Sequence, residues 1–122
     1  MNKSKAKGTR AETKVVRFLA TFGIKAERRA LSGSNDNGDI KVTIEDKEYT
    51  LEVKAGKQTE NPSRSQFQEW LAQTKAEASN ARCSAALVIV RYRRALKDAE
   101  VYILEGNKII FCYLDEYVNY IK

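Results

Sequence analysis

Residues 38–54, GDIKVTIEDKEYTLEVK, leave the chain little choice of local structure. Ile40, Val42 and Ile44 stand at every second position, as do Tyr49, Leu51 and Val53 beyond the polar stretch 45–48. A period of two on both sides of a polar turn predicts two half-buried strands joined as a hairpin. Pairing apolar with apolar matches Ile40 with Val53, Val42 with Leu51 and Ile44 with Tyr49, which turns Asp39, Lys41, Glu52 and Lys54 to the other face. Asp39 then lies across from Lys54, with Glu52 on the diagonal within roughly 8 Å. A slip by two residues keeps these faces, whereas a slip by one would bury Asp39. Two carboxylates and an ammonium on one surface are either the ordinary solvated face of a hairpin or a small reactive site, and spacing alone leaves both open.

Absences narrow the chemistry. The 122 residues include no histidine, which excludes Ser-His-Asp and Cys-His hydrolysis, His-ligated metal centres and Cys2His2 fingers. Any catalysis must rest on carboxylates, lysine and a metal ion. Cys83 and Cys112 have no metal-ligand spacing and are expected as reduced core thiols. The longest apolar run, 85–90, is too short to span a bilayer, and the lysine-rich start lacks the apolar segment of a signal peptide, so a cytoplasmic protein with no membrane partner is expected. Lys and Arg outnumber Asp and Glu by 22 to 16, a net charge of +6, which suits a polyanion such as nucleic acid.

The chain reads as one domain over 1–122. Residues 1–8 alternate Lys3, Lys5 and Lys7 with small residues and are expected to form a flexible basic arm, either a solubilising tail or a reach toward phosphates. From Thr9 to Phe22, Ala11, Val15, Leu19 and Phe22 recur at helical spacing, and Gly23 supplies a stop. Glu12 falls inside that apolar stripe. A capping box with Thr9 is one reason for an acid there, and a carboxylate facing a site at the sheet edge is another.

A first strand is expected over 24–31, followed by a Gly/Ser/Asn loop, 32–38, that leads directly to Asp39. After the hairpin, Ser63 with Gln66 is an N-cap signature for an amphipathic helix to about Ala81, whose Phe67 and Trp70 are expected in the core. Residues 85–90 read as a buried strand, 100–104 and 108–113 as a hairpin, and 114–121 as a last short helix. A mixed central sheet flanked by helices is the economical packing, an α/β fold. A basic cluster from Arg91 to Lys97 has no role legible in the sequence.

Two carboxylates about 5 Å apart repel by roughly 3 kcal/mol at an effective dielectric of 20, which a divalent cation would relieve. Mg²⁺ commonly uses one or two protein carboxylates with waters and substrate phosphate, and Lys54 beside such a site would hold the attacking water or the scissile phosphate. Asp39 followed by Glu52-Val53-Lys54 resembles the PD-(D/E)XK nuclease signature. The Lys7-Gly8 step, Glu12, Gly23, Arg28, Ser32-Gly33-Ser34 and Asp39-Ile40, in that order, make the chain similar to the archaeal-type Holliday junction resolvases of that superfamily. Gly38 stands where those proteins usually have proline, a departure expected to cost little.

The resemblance implies a restriction-endonuclease-like core and a Mg²⁺-dependent endonuclease, with Mn²⁺ able to substitute, that makes paired nicks in a four-way DNA junction as a homodimer. It implies that Glu12, Asp39, Glu52 and the backbone carbonyl of Val53 ligate the metal, that Lys54 assists the attacking water, and that Ser32 acts near the cleaved phosphate. DNA contacts are expected from Lys3, Lys5, Lys7, Arg10, Arg28, Arg29, Ser34, Lys57 and Gln66. Other readings stand beside it: a nuclease of the same superfamily acting on duplex or flap DNA, a non-catalytic nucleic-acid-binding protein of the same fold, and a plain acid-capped α/β domain. Cellular or viral origin is not legible.

Overall fold

The structure, a computed structural model, describes residues 3–29 and 38–122, without the side chains of residues 3–9. Helix α1 spans Lys3–Ala20, strand β1 Lys25–Arg28, β2 Ile40–Ile44 and β3 Lys47–Ala55. A single 3-10 turn at Lys57–Thr59 leads to α2, Arg64–Ala81, and then β4, Ser84–Val90. A second 3-10 turn, Leu96–Asp98, precedes β5 (Glu100–Glu105), β6 (Lys108–Tyr113) and α3 (Leu114–Ile121).

All six strands form one sheet in chain order, β1 to β6. Only β3 and β4 run parallel, because they alone are joined by a crossover long enough to carry a helix, α2. The sheet is mixed and helices cover both faces, as the sequence implies. Ile40, Val42, Leu51, Val53, Val88 and Val101 face α1 and α3 in the larger core, while Leu87 and Ile89 pack under Trp70 of α2, with Phe67 beside them. β4 is therefore buried on both sides, which explains its unbroken apolar run. The Ser63 hydroxyl accepts from the Gln66 N–H and caps α2 as expected.

Four expectations need correction. The β2–β3 hairpin pairs Ile40 with Leu51, Val42 with Tyr49 and Ile44 with Lys47, two residues from the all-apolar register. Glu45 at φ 56 lets a two-residue turn close after Ile44, and tight turn geometry outweighs one more apolar pair. The hairpin's polar face is not solvated along β3: α2 crosses it, so Thr50 and Glu52 are buried. Helix α1 begins at Lys3, so the expected arm continues the helix and Thr9 lies inside it rather than at a cap. The three lysines and Ala6 in residues 3–7 are good helix formers, and capping is not what holds Glu12. Cys83 and Cys112 are free thiols but only half-buried, since each sits at or beside a strand end rather than within the core.

Candidate active site

At the end of the sheet where β2 begins and β3 and β4 finish, Asp39 stands one residue before the β2 ladder. Its N–H donates to the Leu51 carbonyl at 2.9 Å, and its Oδ2 accepts from the Val53 N–H at 2.8 Å, so it straddles Glu52. The Arg29 N–H donates to the Asp39 carbonyl at 2.8 Å and fixes the same residue from the β1 side. The carboxyls of Asp39 and Glu52 lie within hydrogen-bonding reach of one another.

Glu52 is 2% exposed, and its Oε2 makes no hydrogen bond. Burial pushes its carboxyl well above the usual range; the Asp39 and Glu77 charges push the same way, and Lys54 opposes them. Lys54 Nζ stands 4.0 Å from Glu52 Oε2 and donates to Gln73 Oε1 of α2 at 3.0 Å. The strand thus supplies acid and ammonium on one face, as the two-residue spacing demands, while α2 turns that face into an interior.

The fit to a divalent ion can be judged from these groups. A hard oxygen pair, one member buried with an oxygen that makes no hydrogen bond, carries an uncompensated cost that a cation would remove, and hard oxygen donors are what Mg²⁺ takes. Glu12 is close enough for the Asp39 charge to raise its carboxyl in addition to the larger effect of burial. Its Oε1, however, accepts from Arg28 Nε at 3.0 Å. Among the described residues no three acids, cysteines or histidines form a ready-made metal cage. Glu12 stands alongside Asp39 and Glu52, held in an ion pair by Arg28.

The model of a family described as phage putative PDDEXK endonuclease matches residues 3–118. The chain belongs to that family. It is a PDDEXK-type nuclease. Among solved structures, it is similar to an Archaeoglobus fulgidus protein described as Hjc, a Holliday junction resolvase from an archaeal hyperthermophile. The two are 20% identical, the match covers 93% of each chain, and the TM-score is 0.53, which establishes a shared restriction-endonuclease-like fold. No curated protein matches the chain.

The other expected residues of this PDDEXK nuclease scatter more widely. Arg10 is exposed on α1, Lys57 is exposed in the turn after β3, and Gln66 is half-buried in the first turn of α2. Arg28 is engaged by Glu12, and Arg29 is half-buried, its Nε buried without a hydrogen bond. Ser32 and Ser34 lie outside the described residues, as do the side chains of Lys3, Lys5 and Lys7.

Two neighbours, Glu77 and Gln73, escaped the sequence reading. Glu77 is fully buried on α2 and its charge reaches Glu52. It lies seven residues after Trp70, on the buried stripe, which was the available signal. Gln73 was invisible because only the fold brings it to Lys54. Gly38 adopts φ 95, and a Cβ there would stand 2.1 Å from Thr50 Oγ1 and 3.4 Å from Glu77 Oε1. Proline, confined to φ near −65°, cannot take this conformation, so the expectation that proline or glycine at 38 matters little is corrected. No helix among the described residues is long and apolar enough to cross a membrane.

Proposed function

We propose that this chain is a Mg²⁺-dependent endonuclease that resolves four-way DNA junctions by paired nicks as a homodimer. The observation that carries the reading is Glu52: a buried carboxyl with an oxygen that makes no hydrogen bond, placed between Asp39 and Lys54. Asp39 and Glu52 would hold the ion, with the Val53 carbonyl on the same strand as a further oxygen donor. Mn²⁺ is expected to substitute, since it favours the same oxygen ligands. Glu12 would join only by giving up Arg28. A divalent ion held there would supply positive charge against the charge that develops at the phosphate and would lower the pKa of a bound water.

The chain's own groups do the rest. The Val53 N–H holds Asp39 in one orientation. Gln73 anchors Lys54 Nζ, leaving its other N–H donors for the attacking water or a phosphate oxygen. Arg10, Lys57 and the amino-terminal lysines would hold the DNA backbone through its charge. Paired nicks require two copies, and β6 offers a free sheet edge on which Ile109, Phe111 and Tyr113 are exposed. A phage origin is consistent with the family's description.

Cleavage of a mobile four-way junction, compared with linear duplex and flap DNA built from the same arms, tests the substrate. Mg²⁺-dependent, symmetric cutting of the junction is expected; equal rates on all three would leave a PDDEXK nuclease of broader substrate.

A further inference from the structure

The carboxylate pair occupies only part of this end of the sheet. One strand further along, the chain leaving β4 makes a tight turn over Arg91, Tyr92, Arg93 and Arg94, which lines a cleft of about 730 Å³ together with Thr59. Because Ala55 pairs with Val90, this turn and the chain following Lys54 leave the sheet side by side. The cleft lies two to three strand spacings from Asp39, about 10–15 Å at about 4.8 Å per strand.

The turn is braced. Arg91 donates to both oxygens of Glu100, at 2.6 and 2.9 Å, and to the Thr59 carbonyl at 2.8 Å. The Tyr92 N–H donates to Thr59 Oγ1 at 2.9 Å, and the Arg94 N–H to the Arg91 carbonyl at 3.1 Å. Arg93, held at φ 62, stacks its guanidinium 5.0 Å from the centre of the Tyr92 ring. Arg91 and Glu100 neutralise one another, and Glu60 and Asp98 also line the cleft. The acids and bases lining the cleft balance, and the surplus positive charge is that of exposed Lys57 and Lys97 in the two 3-10 turns that supply Thr59 and Asp98 to it, beside exposed Arg93 and Arg94. A left-handed backbone at a residue other than glycine persists only where surrounding bonds enforce it, and here those bonds present two adjacent guanidinium groups at the surface.

We infer that the cleft lined by Arg93 and Arg94 is a second nucleic-acid subsite, which takes backbone phosphates of the cleaved strand a few nucleotides from the carboxylate pair. At about 3.4 Å of rise per nucleotide, the separation corresponds to roughly three to four nucleotides of duplex arm. The inference deepens the nuclease reading and rests on it, and it gives the Arg91 to Lys97 cluster a place beside the site.

The test is equilibrium binding of a four-way junction over a range of salt, without divalent ions, by the full chain and two charge-matched double variants. R93A/R94A should weaken binding about tenfold at moderate salt and lower the salt slope by about 2, as two lost phosphate contacts require. K25A/K47A, which removes the same charge from the opposite end of the sheet, should leave the slope unchanged. R93K/R94K should recover most of it. If R93A/R94A melts early, R93G/R94Q suits the left-handed backbone and carries the same readout. Equal slopes for R93A/R94A and the unaltered chain, or equal losses in both double variants, would overturn the subsite while leaving the nuclease reading intact. Failure of the unaltered chain to bind DNA would overturn both.

Discussion

The main-chain N–H of Val53 donates to Asp39 Oδ2 at 2.8 Å, so the strand that carries Glu52 and Lys54 also positions the second acid. Asp39, Glu52 and Lys54 are thereby coupled through one short backbone segment. A one-residue slip of β3 would remove the acid, the ammonium and the positioning bond together.

Glu52 should make the ion-free protein pH-sensitive. Its folded pKa is raised by burial and by Asp39, so above about pH 4.5 the unfolded chain releases a proton that the folded chain keeps. Its contribution therefore favours folding at low pH and is lost as pH rises toward the folded value. Urea unfolding in chelator should show E52Q equal to the unaltered chain near pH 4.5 and more stable by about 2 kcal/mol at pH 7.5. A pH-independent difference would contradict the assigned shift. Mg²⁺ should stabilise the unaltered chain and not E52Q.

Gly38→Ala should destabilise the fold by about 3 kcal/mol, since the new Cβ meets Thr50 Oγ1 and the left-handed backbone is strained as well. G38A/T50A removes the collision and should recover part of the loss, leaving about 1 kcal/mol of backbone strain. Chemical denaturation of the three variants checks this, and a G38A protein as stable as its parent would refute the close approach.

Lys54→Ala should slow cleavage by about 10²–10³-fold while junction binding stays nearly unchanged. Gln73→Ala, which only releases Lys54 Nζ from its anchor, should cost less, and K54A/Q73A should be no slower than K54A alone. Single-turnover rates at saturating enzyme make the comparison.

Phe111, 48% exposed on the free edge strand, should be central to self-association. Phe111→Glu is expected to shift the protein from twice the 13.8 kDa chain mass to a monomer and to convert paired nicks to single ones. Sedimentation of both proteins, with plasmid-borne junction cleavage, reads out the two effects.

The sequence revealed much of this architecture because its patterns are local. Period-two runs located β2 and β3, the turn at 105–107 located the β5–β6 hairpin, the apolar run located β4, and Ser63 marked the start of α2. The placing of Glu52 and Lys54 on one face was legible for the same reason, since two-residue spacing on a strand gives it alone. What stayed hidden depends on contacts between distant segments. Covering of the Glu52 face by α2, the approach of Gln73 and Glu77, and the Arg28 partner of Glu12 are consequences of packing. The hairpin register was misjudged because apolar matching was weighed against no turn geometry, and Thr9 suggested a cap that an earlier helix start displaces.

The central claim is that Asp39 and Glu52 form one divalent-ion site that cuts DNA. The most direct measurement is single-turnover nicking of a four-way junction by the unaltered chain and D39N, each titrated with Mg²⁺. The account predicts Mg²⁺-dependent paired nicking by the unaltered chain, no cutting in chelator, and a loss of at least about 10³-fold in D39N with junction binding retained. Cutting in chelator, or D39N nicking at the parental rate, would contradict it.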